Sequence, residues 1–201
     1  MTWLYFLKKK SEVIEKFQEI KALVENQSDR KIKVLRTNND GKLCNKVCNQ
    51  FCRQHGIARQ NTTPYMPQQN GVVERMNKMI MEKARSMLSG VGLAQEFWVE
   101  AVDMTCYLVN RLPSTALVDK TPYEAWVGQR LSLAHLRVFG CDAFMHVPKE
   151  KISKLDRKSE KCIFIGYKDG VKGYRLRNPV KGKVAYSRYG VFREVDGNRS
   201  I

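Results

Sequence analysis

Apolar residues recur at helical spacing through much of the first 127 residues, with two short segments of strand character among them. Residues 2–7 (TWLYFL) are aromatic and apolar, and residues 31–36 (KIKVLR) alternate between polar and apolar, as strands do. The predicted order is a strand at 2–7, a helix from the N-cap Ser11 to about Asn26, a strand at 31–36, a helix over about 44–55 closed by Gly56, and a loop at 61–71.

Three further helices are predicted between residues 72 and 127. The last begins at Thr121-Pro122-Tyr123-Glu124, which has the sequence of a capping box with proline at the first helical position. The residues expected to face the core are Val73, Met76, Ile80, Ala84 and Met87 in the helix from about Val72, and Phe97, Trp98, Ala101, Val102, Cys106 and Val109 in the helix over about 94–111.

From about residue 135 the pattern changes to short strands separated by glycines and basic loops. Strands are expected at 136–147, 161–167, 173–177 and 183–192, which together predict a small antiparallel barrel or sheet. The predicted domains are a core at 1–92, a helical connector at 93–134, a β-module at 135–195 and a tail at 196–201.

The composition is that of a globular protein. Hydrophobic residues make up 43% of the 201 residues and charged residues 28%. No apolar run reaches the roughly 18–20 residues of a membrane span. The N-terminal apolar stretch precedes the positive charges, which is the reverse of a signal peptide, so we expect no secretion and no membrane partner.

The net charge of +16 favours a polyanionic partner, usually nucleic acid. Residues 31–95 contain 11 basic and 3 acidic residues, and residues 146–201 contain 15 and 6. Residues 96–145, between them, contain 4 and 6. This distribution predicts two DNA-facing surfaces joined by a structural segment, although a merely soluble basic protein is the alternative.

Cys44, Cys48 and Cys52, with His55 close behind, raise the question of a zinc site. On one straight helix Cys44 and Cys52 would lie about 12 Å apart, whereas zinc needs sulfurs at about 2.3 Å from one point. We therefore expect buried, reduced thiols on the core face of this helix.

Residues 63–88, TPYMPQQNGVVERMNKMIMEKARSML, resemble the third-carboxylate segment of copia-type retrotransposon integrases, whose pattern is T-P-Y-x-P-Q-Q-N-G-V-x-E-R-x-N. Further segments that resemble the same family follow along the chain: FWVEAV, LVNRLPS, KTPYEAW, HLRVFGC, KLDRKSEKCIFIGY, KGYRLRNP and VAYSRYGVF. The resemblance implies an α/β fold, with a truncated RNase H-like integrase core whose mixed sheet lacks its first strand, then a helical connector and a small SH3-like β-barrel. It also implies multimers that act on double-stranded DNA, in the nucleus or in an intracellular virus-like particle.

By the same resemblance, the family's core has two Asp and one Glu that hold two Mg²⁺ or Mn²⁺ ions. Two such ions can clamp the attacking and leaving oxygens of a phosphodiester. Glu74 matches the third carboxylate, although an acidic residue also suits a helix N-terminus for electrostatic reasons. Asn38 stands at the position of the second Asp, where an uncharged amide would bind a metal weakly. The first Asp would precede Met1, so we expect this copy to be catalytically inactive.

Several basic residues are candidates for DNA contacts. Lys78 and Arg85 follow Glu74 at helical spacing and would either contact phosphates or be solvated. Tyrosines of the β-module would either stack on bases or close the core of the barrel; they are Tyr167, Tyr174, Tyr186 and Tyr189. A basic strip, for which a solubilising loop is the alternative, comprises Lys149, Lys151, Lys154, Arg157, Lys158 and Lys161.

Three functions stay open on the sequence alone. The first is an integrase fragment of a Pol polyprotein, with a family role in 3′-end processing and strand transfer and no activity in this copy. The second is a non-catalytic DNA-binding or protein-interaction module retained by a host. The third is an active manganese nuclease with a site rebuilt from Asp40 and Glu74.

Overall fold

The structure, a computed structural model, describes residues 1–9, 11–37, 46–61, 71–147, 153, 157–168 and 170–194. These form two compact units, Trp3–Lys78 and the chain from Met79 onward together with Met1–Thr2. The elements are α1 (Glu12–Ser28), β1 (Val34–Thr37), α2 (Lys46–Gln54), β2 (Ala58–Asn61), α3 (Gly71–Gly90), a 3₁₀ turn (Gln95–Phe97), α4 (Trp98–Arg111), α5 (Pro122–Val127), β3 (Asp142–His146), β4 (Ser159–Lys168), β5 (Val171–Arg177), β6 (Val184–Ser187) and β7 (Gly190–Arg193). The fold class is α/β, as predicted. The predicted domain boundaries stay predictions.

A parallel strand pair and two helices build the unit Trp3–Lys78. β1 pairs with β2 in parallel, from Val34 opposite Ala58 to Thr37 opposite Asn61. Cys48 and Cys52, one helical turn apart, are buried in the core of this unit, which confirms the prediction for these two thiols. Cys44 lies outside the described residues. The core comprises Ile14, Cys48, Cys52 and Ile57, with Phe17, Ile32, Leu35 and Phe51 packed against it.

The prediction of a strand at 2–7 is wrong. The backbone nitrogen of Thr2 donates to Asn110 Oδ1 at 2.8 Å, and Asn110 Nδ2 donates to the Thr2 carbonyl at 2.7 Å. The side-chain amide thus satisfies both backbone groups of Thr2. Within the described residues no strand pairs with 2–7.

The predicted core faces of α3 and α4 are correct except in their first turns. Ile80 and Ala84 are buried, as are Phe97, Ala101, Val102 and Cys106. Val73 is 60% exposed and Trp98 is 49% exposed, so the expectation that they face the core is wrong. Side chains in a helix point back towards its N-terminus, and those of the first turn therefore project past the packed surface. No helix of the described chain is long and apolar enough to cross a membrane.

The second sheet is antiparallel, in the order β6-β5-β4-β3-β7. β6 and β7 stand at opposite ends of this order, although only Arg188 and Tyr189 connect them. Such a link spans at most about 11 Å, whereas the edges of a flat five-stranded sheet lie about 19 Å apart. The sheet must therefore curl into a barrel, as the sequence predicts. The sequence predicts a single strand at 183–192, but the structure has two strands there. Arg188 and Tyr189 separate them and lead the chain from one edge of the sheet to the other.

Charged side chains of the barrel fix α4 and the 3₁₀ turn against β5. Arg175 Nη2 lies 3.5 Å from Glu100 Oε1, and Arg177 Nη1 lies 3.2 Å from Glu96 Oε1. The guanidinium of Arg177 also stacks over the Phe97 ring at 4.5 Å. α4 and the barrel belong to the same compact unit, and these ion pairs connect them directly.

Candidate nucleic-acid interface

Glu74 lies exposed in the first turn of α3. α3 begins at Gly71, directly after the proline-rich and glutamine-rich segment that the structure does not describe. A carboxylate at this position interacts favourably with the positive end of the helix dipole whether or not it binds a metal. The structure therefore places Glu74 where the sequence predicts, without testing its role.

The described residues do not assemble a metal site around Glu74. Asn38, and Asp40 with it, lie outside the described residues. In the described part of the chain no three or more His, Cys, Asp or Glu residues are close enough together to hold an ion. Mg²⁺ and Mn²⁺ prefer several oxygen ligands, carboxylates among them. Glu74 by itself does not fit the two-metal centre that the resemblance implies.

The carboxyl ends of β1 and β2 lie side by side immediately before Asn38. Thr37 Oγ1 donates to Asn61 Oδ1 at 3.1 Å. Arg59 Nη2 donates to the same oxygen at 3.1 Å, and Arg59 Nη1 donates to Asn49 Oδ1. The carboxyl ends of parallel strands are where open α/β sheets place ligand-binding side chains.

Residue 61 falls in a predicted loop and no strand is predicted directly before it, so sequence reasoning missed β2 and with it the roles of Arg59 and Asn61. The residues Ala-Arg-Gln-Asn carry no apolar alternation, and most of this strand is exposed. The order of elements could have predicted β2. A strand followed by a short helix is commonly followed by a second strand that pairs in parallel with the first. A strand after Gly56 would have placed Asn61 beside Thr37.

Lys78 and Arg85 are both exposed on α3. Lys78 is the last residue of the unit Trp3–Lys78, and Arg85 lies in the unit that follows. Within that second unit, Arg85 adjoins the buried Ala84, so the backbone that carries Arg85 is held by packing. Their contact with DNA stays a prediction.

Three residues of the basic strip are described. Arg157 and Lys158 are exposed and form no ion pair within the described residues, and the Lys158 carbonyl accepts a hydrogen bond from Val147 N at 3.0 Å. Lys161 Nζ lies 2.8 Å from Asp142 Oδ2, which partly offsets its charge. The remaining members, Lys149, Lys151 and Lys154, lie outside the described residues.

The four tyrosines of the β-module divide into two kinds. Tyr167 and Tyr174 pack edge-on against the buried Phe164, with ring centroids 5.2 and 5.9 Å away, which confirms the core alternative for these two. Burial raises the pKa of the Tyr167 phenol above its ordinary value. Tyr186 and Tyr189 are exposed.

Comparisons with known proteins identify relatives over nearly the whole chain. Residues 141–200 match the family model of the retroviral polymerase SH3-like domain. The chain is 51% identical over 192 residues to the retrovirus-related Pol polyprotein from transposon TNT 1-94 of Nicotiana tabacum, a match that covers 96% of this chain and 14% of that protein. The chain therefore spans about one seventh of the length of this relative.

Two further matches cover shorter parts of the chain. An uncharacterised mitochondrial protein of Arabidopsis thaliana is 36% identical over 85 residues, which are 42% of this chain and 71% of that protein. Among solved structures, the catalytic core domain of HTLV-2 integrase in complex with magnesium, in a trimeric form, is 18% identical with a TM-score of 0.44. That match covers 60% of this chain and 71% of the other.

Proposed function

This chain belongs to the retrovirus-related Pol polyproteins of copia-type transposons, and we propose that it is a DNA-binding segment of their integrase region. The observation that carries the proposal is the 51% identity over 96% of the chain. The family role that follows is DNA integration, by 3′-end processing and strand transfer on double-stranded DNA, in multimers. The match covers 14% of the Nicotiana tabacum polyprotein. We therefore propose these activities as the family role to which this segment contributes.

The charge distribution supports DNA binding through the β-module. Residues 146–201 contain 15 basic and 6 acidic residues. Of the described members of the basic strip, Arg157 and Lys158 directly precede β4 and Lys161 lies within it. Arg157 and Lys158 are exposed and have no acidic partner within the described residues, so both are available for phosphates. Phosphate contacts of this kind supply affinity that depends strongly on salt and weakly on base sequence.

The first prediction concerns duplex DNA. We expect the chain to bind duplex, and the double substitution Arg157→Gln/Lys158→Gln to weaken binding. The negative slope of the logarithm of affinity against the logarithm of salt concentration should become shallower by about 2, one unit for each lost phosphate contact. Fluorescence anisotropy at several salt concentrations measures this slope.

A matched control is Lys120→Gln/Lys183→Gln, which removes the same charge from two exposed lysines outside the strip. We expect this variant to change the salt slope less than the strip variant does. An equal effect of the two variants would mean that total charge, rather than the strip, binds DNA. Absence of duplex binding by the parent chain would contradict the proposal itself.

We further propose that this copy is catalytically inactive, because Asn38 stands at the position of the family's second Asp. An amide contributes an oxygen but no charge to a divalent ion, and ligand charge largely sets affinity. The second prediction is that Asn38→Asp binds Mn²⁺ at least about tenfold more tightly than the parent chain. Isothermal titration calorimetry measures the affinity.

The gain should disappear in Asn38→Asp/Glu74→Gln, because Glu74 is the proposed third carboxylate. If the parent chain itself binds Mn²⁺ tightly and nicks DNA, with loss of both in Glu74→Gln, the inactivity proposal fails. That result would support the rebuilt site with Asp40.

The second candidate function is a non-catalytic DNA-binding or protein-interaction module retained by a host. The observation that favours it is the mitochondrial relative, of which the matching segment makes up 71%, since a related segment there forms most of a protein. Sequencing of the flanking reading frame separates the two. An in-frame strand bearing the family's first Asp supports the Pol polyprotein, and stop codons on both sides support the module.

A further inference from the structure

A groove of about 450 Å³ lies wholly within the unit that begins at Met79, between α4 and the hairpin of β4 and β5. Among the described residues that line it there is no aspartate or glutamate; Asp169, next to two of them in the chain, lies outside the described residues. The lining includes four cationic side chains: Arg111, Lys168, Lys172 and Arg188.

Arg111 is the unusual member of this set, because it is only 9% exposed. Its guanidinium carbon lies 3.5 Å from the centre of the Tyr107 ring and 4.3 Å from that of Tyr123. Nη1 donates to the Tyr107 carbonyl at 3.2 Å, whereas buried Nε has no hydrogen-bond partner within the described residues. A buried cation that is held by ring faces and lacks a carboxylate favours an anionic ligand.

The aromatic side of the groove is held rigidly. Tyr107 stacks on Tyr167, with ring centroids 4.4 Å apart and an interplanar angle of 22°. Tyr107 Oη lies 2.8 Å from His135 Nε2, within hydrogen-bond distance. Tyr167 Oη donates to the His135 carbonyl and accepts from Arg137 N, both at 3.0 Å. Fixed rings of this kind bind a flat ligand without first losing side-chain freedom.

We propose that this groove binds an unpaired nucleotide of a DNA strand, with the phosphate against Arg111, Lys172 and Arg188 and the base against a tyrosine of the lining other than Tyr107, whose ring faces are covered by Arg111 and Tyr167. Guanidinium groups bind phosphate oxygens strongly, and aromatic faces accept any base. A volume of this size suits a single small ligand. The inference rests on the proposed function and adds a substrate class to it: unpaired DNA, bound at a place other than the basic strip.

The third prediction is that the chain binds single-stranded DNA in this groove. The probes are a short single-stranded oligothymidine, an isolated duplex and inorganic phosphate. Because Arg111 is buried and its replacement endangers folding, the variant is Lys172→Gln/Arg188→Gln, at two exposed positions. We expect this variant to bind oligothymidine at least about fivefold more weakly. In the parent chain, oligothymidine should shift the Arg111 Nε–H resonance in a ¹H–¹⁵N spectrum.

A control variant separates this groove from general charge effects. Lys120→Gln/Lys183→Gln removes the same charge from exposed residues outside the groove and the basic strip, and it should leave oligothymidine affinity within about twofold. An unshifted Arg111 resonance, or an equal loss of affinity in the two variants, would overturn the inference. So would binding of inorganic phosphate as tight as that of oligothymidine, since the base would then contribute nothing.

The failures of the two proposals are distinguishable. If the chain binds duplex through the basic strip but oligothymidine does not shift Arg111, the groove inference fails and the proposed function stands. If oligothymidine binds in the groove but duplex does not bind at all, the groove stands and the proposed function fails.

Discussion

Glu124 accepts three hydrogen bonds at the start of α5. Leu131 N and Thr121 N donate to its carboxylate at 2.9 Å each, and Thr121 Oγ1 donates at 3.0 Å. These bonds hold the pKa of the Glu124 carboxyl below its ordinary value. A lowered folded-state pKa means that the carboxylate stabilises the fold above the unfolded-state pKa of about 4.3. That contribution is lost as the pH falls through the folded-state value.

The fourth prediction follows at this residue. Thr121→Ala should cost about 1 kcal/mol in the free energy of unfolding, because the backbone nitrogen of Glu124 loses its acceptor, Thr121 Oγ1, at 3.2 Å. Glu124→Gln should lower the melting temperature at neutral pH and differ less from the parent chain at an acidic pH at which the parent carboxyl is itself protonated. Calorimetry at the two pH values measures both effects. Glu15→Gln, at an exposed residue, is the control, and an equal effect of Glu124→Gln at both pH values would contradict the argument.

A sequence motif marks some of the candidate functional residues but not others. The resemblance selects Glu74 and the degenerate Asn38 because their identities stand in a recognisable run of neighbours. The sequence gives no such marker for Arg111, whose importance lies in its burial between Tyr107 and Tyr123. Only the structure brings those rings together, from positions sixteen residues apart on α4 and α5.

At the scale of elements, the turn before β3 packs closely against the segment that follows α3. Gly140 has a φ of +79°, and its nitrogen donates to the Phe164 carbonyl at 2.8 Å. A Cβ at this position would lie 2.7 Å from Val91 Cγ2 and 2.9 Å from Leu93 Cδ1. An alanine there therefore meets both an unfavourable backbone conformation and a steric clash.

The fifth prediction is that Gly140→Ala lowers the free energy of unfolding by more than about 1 kcal/mol. Gly128→Ala is the matched control, because Gly128 has a similar φ of +73° but no atom within 4 Å of the added Cβ. The difference between the two variants, measured by urea denaturation, isolates the steric contact. Equal destabilisation of the two would mean that Val91 and Leu93 move aside at no cost.

Elements were predictable to the extent that their signals are local. The capping box of α5 and the apolar spacing of α1, α3 and α4 depend on neighbours in the chain, and all four helices are present. A strand depends on a partner that is distant in sequence. β2 pairs with β1, whereas no described strand pairs with residues 2–7, where the backbone of Thr2 bonds to Asn110 instead.

At the scale of the whole molecule, net charge indicates nucleic acid as a class of partner but does not indicate a place of binding. The excess of +16 is a property of composition and needs no fold. Lys161 appears equivalent to Lys158 in the sequence, yet only the register of β3 and β4 brings Asp142 within reach of Lys161. Long-range pairing thus decides which basic residues have their charge offset by a carboxylate.

The barrel closes through Arg188 and Tyr189, and this gives chain length at one point a physical consequence. Each residue inserted there would allow β6 and β7 to move apart by up to about 3.5 Å. β6 and β7 are the edge strands of the sheet and do not pair with each other within the described residues, so a wider gap would give strands of other molecules better access to their edges. An insertion in this link would therefore open the curled sheet and favour aggregation, even if every side chain of the core were unchanged.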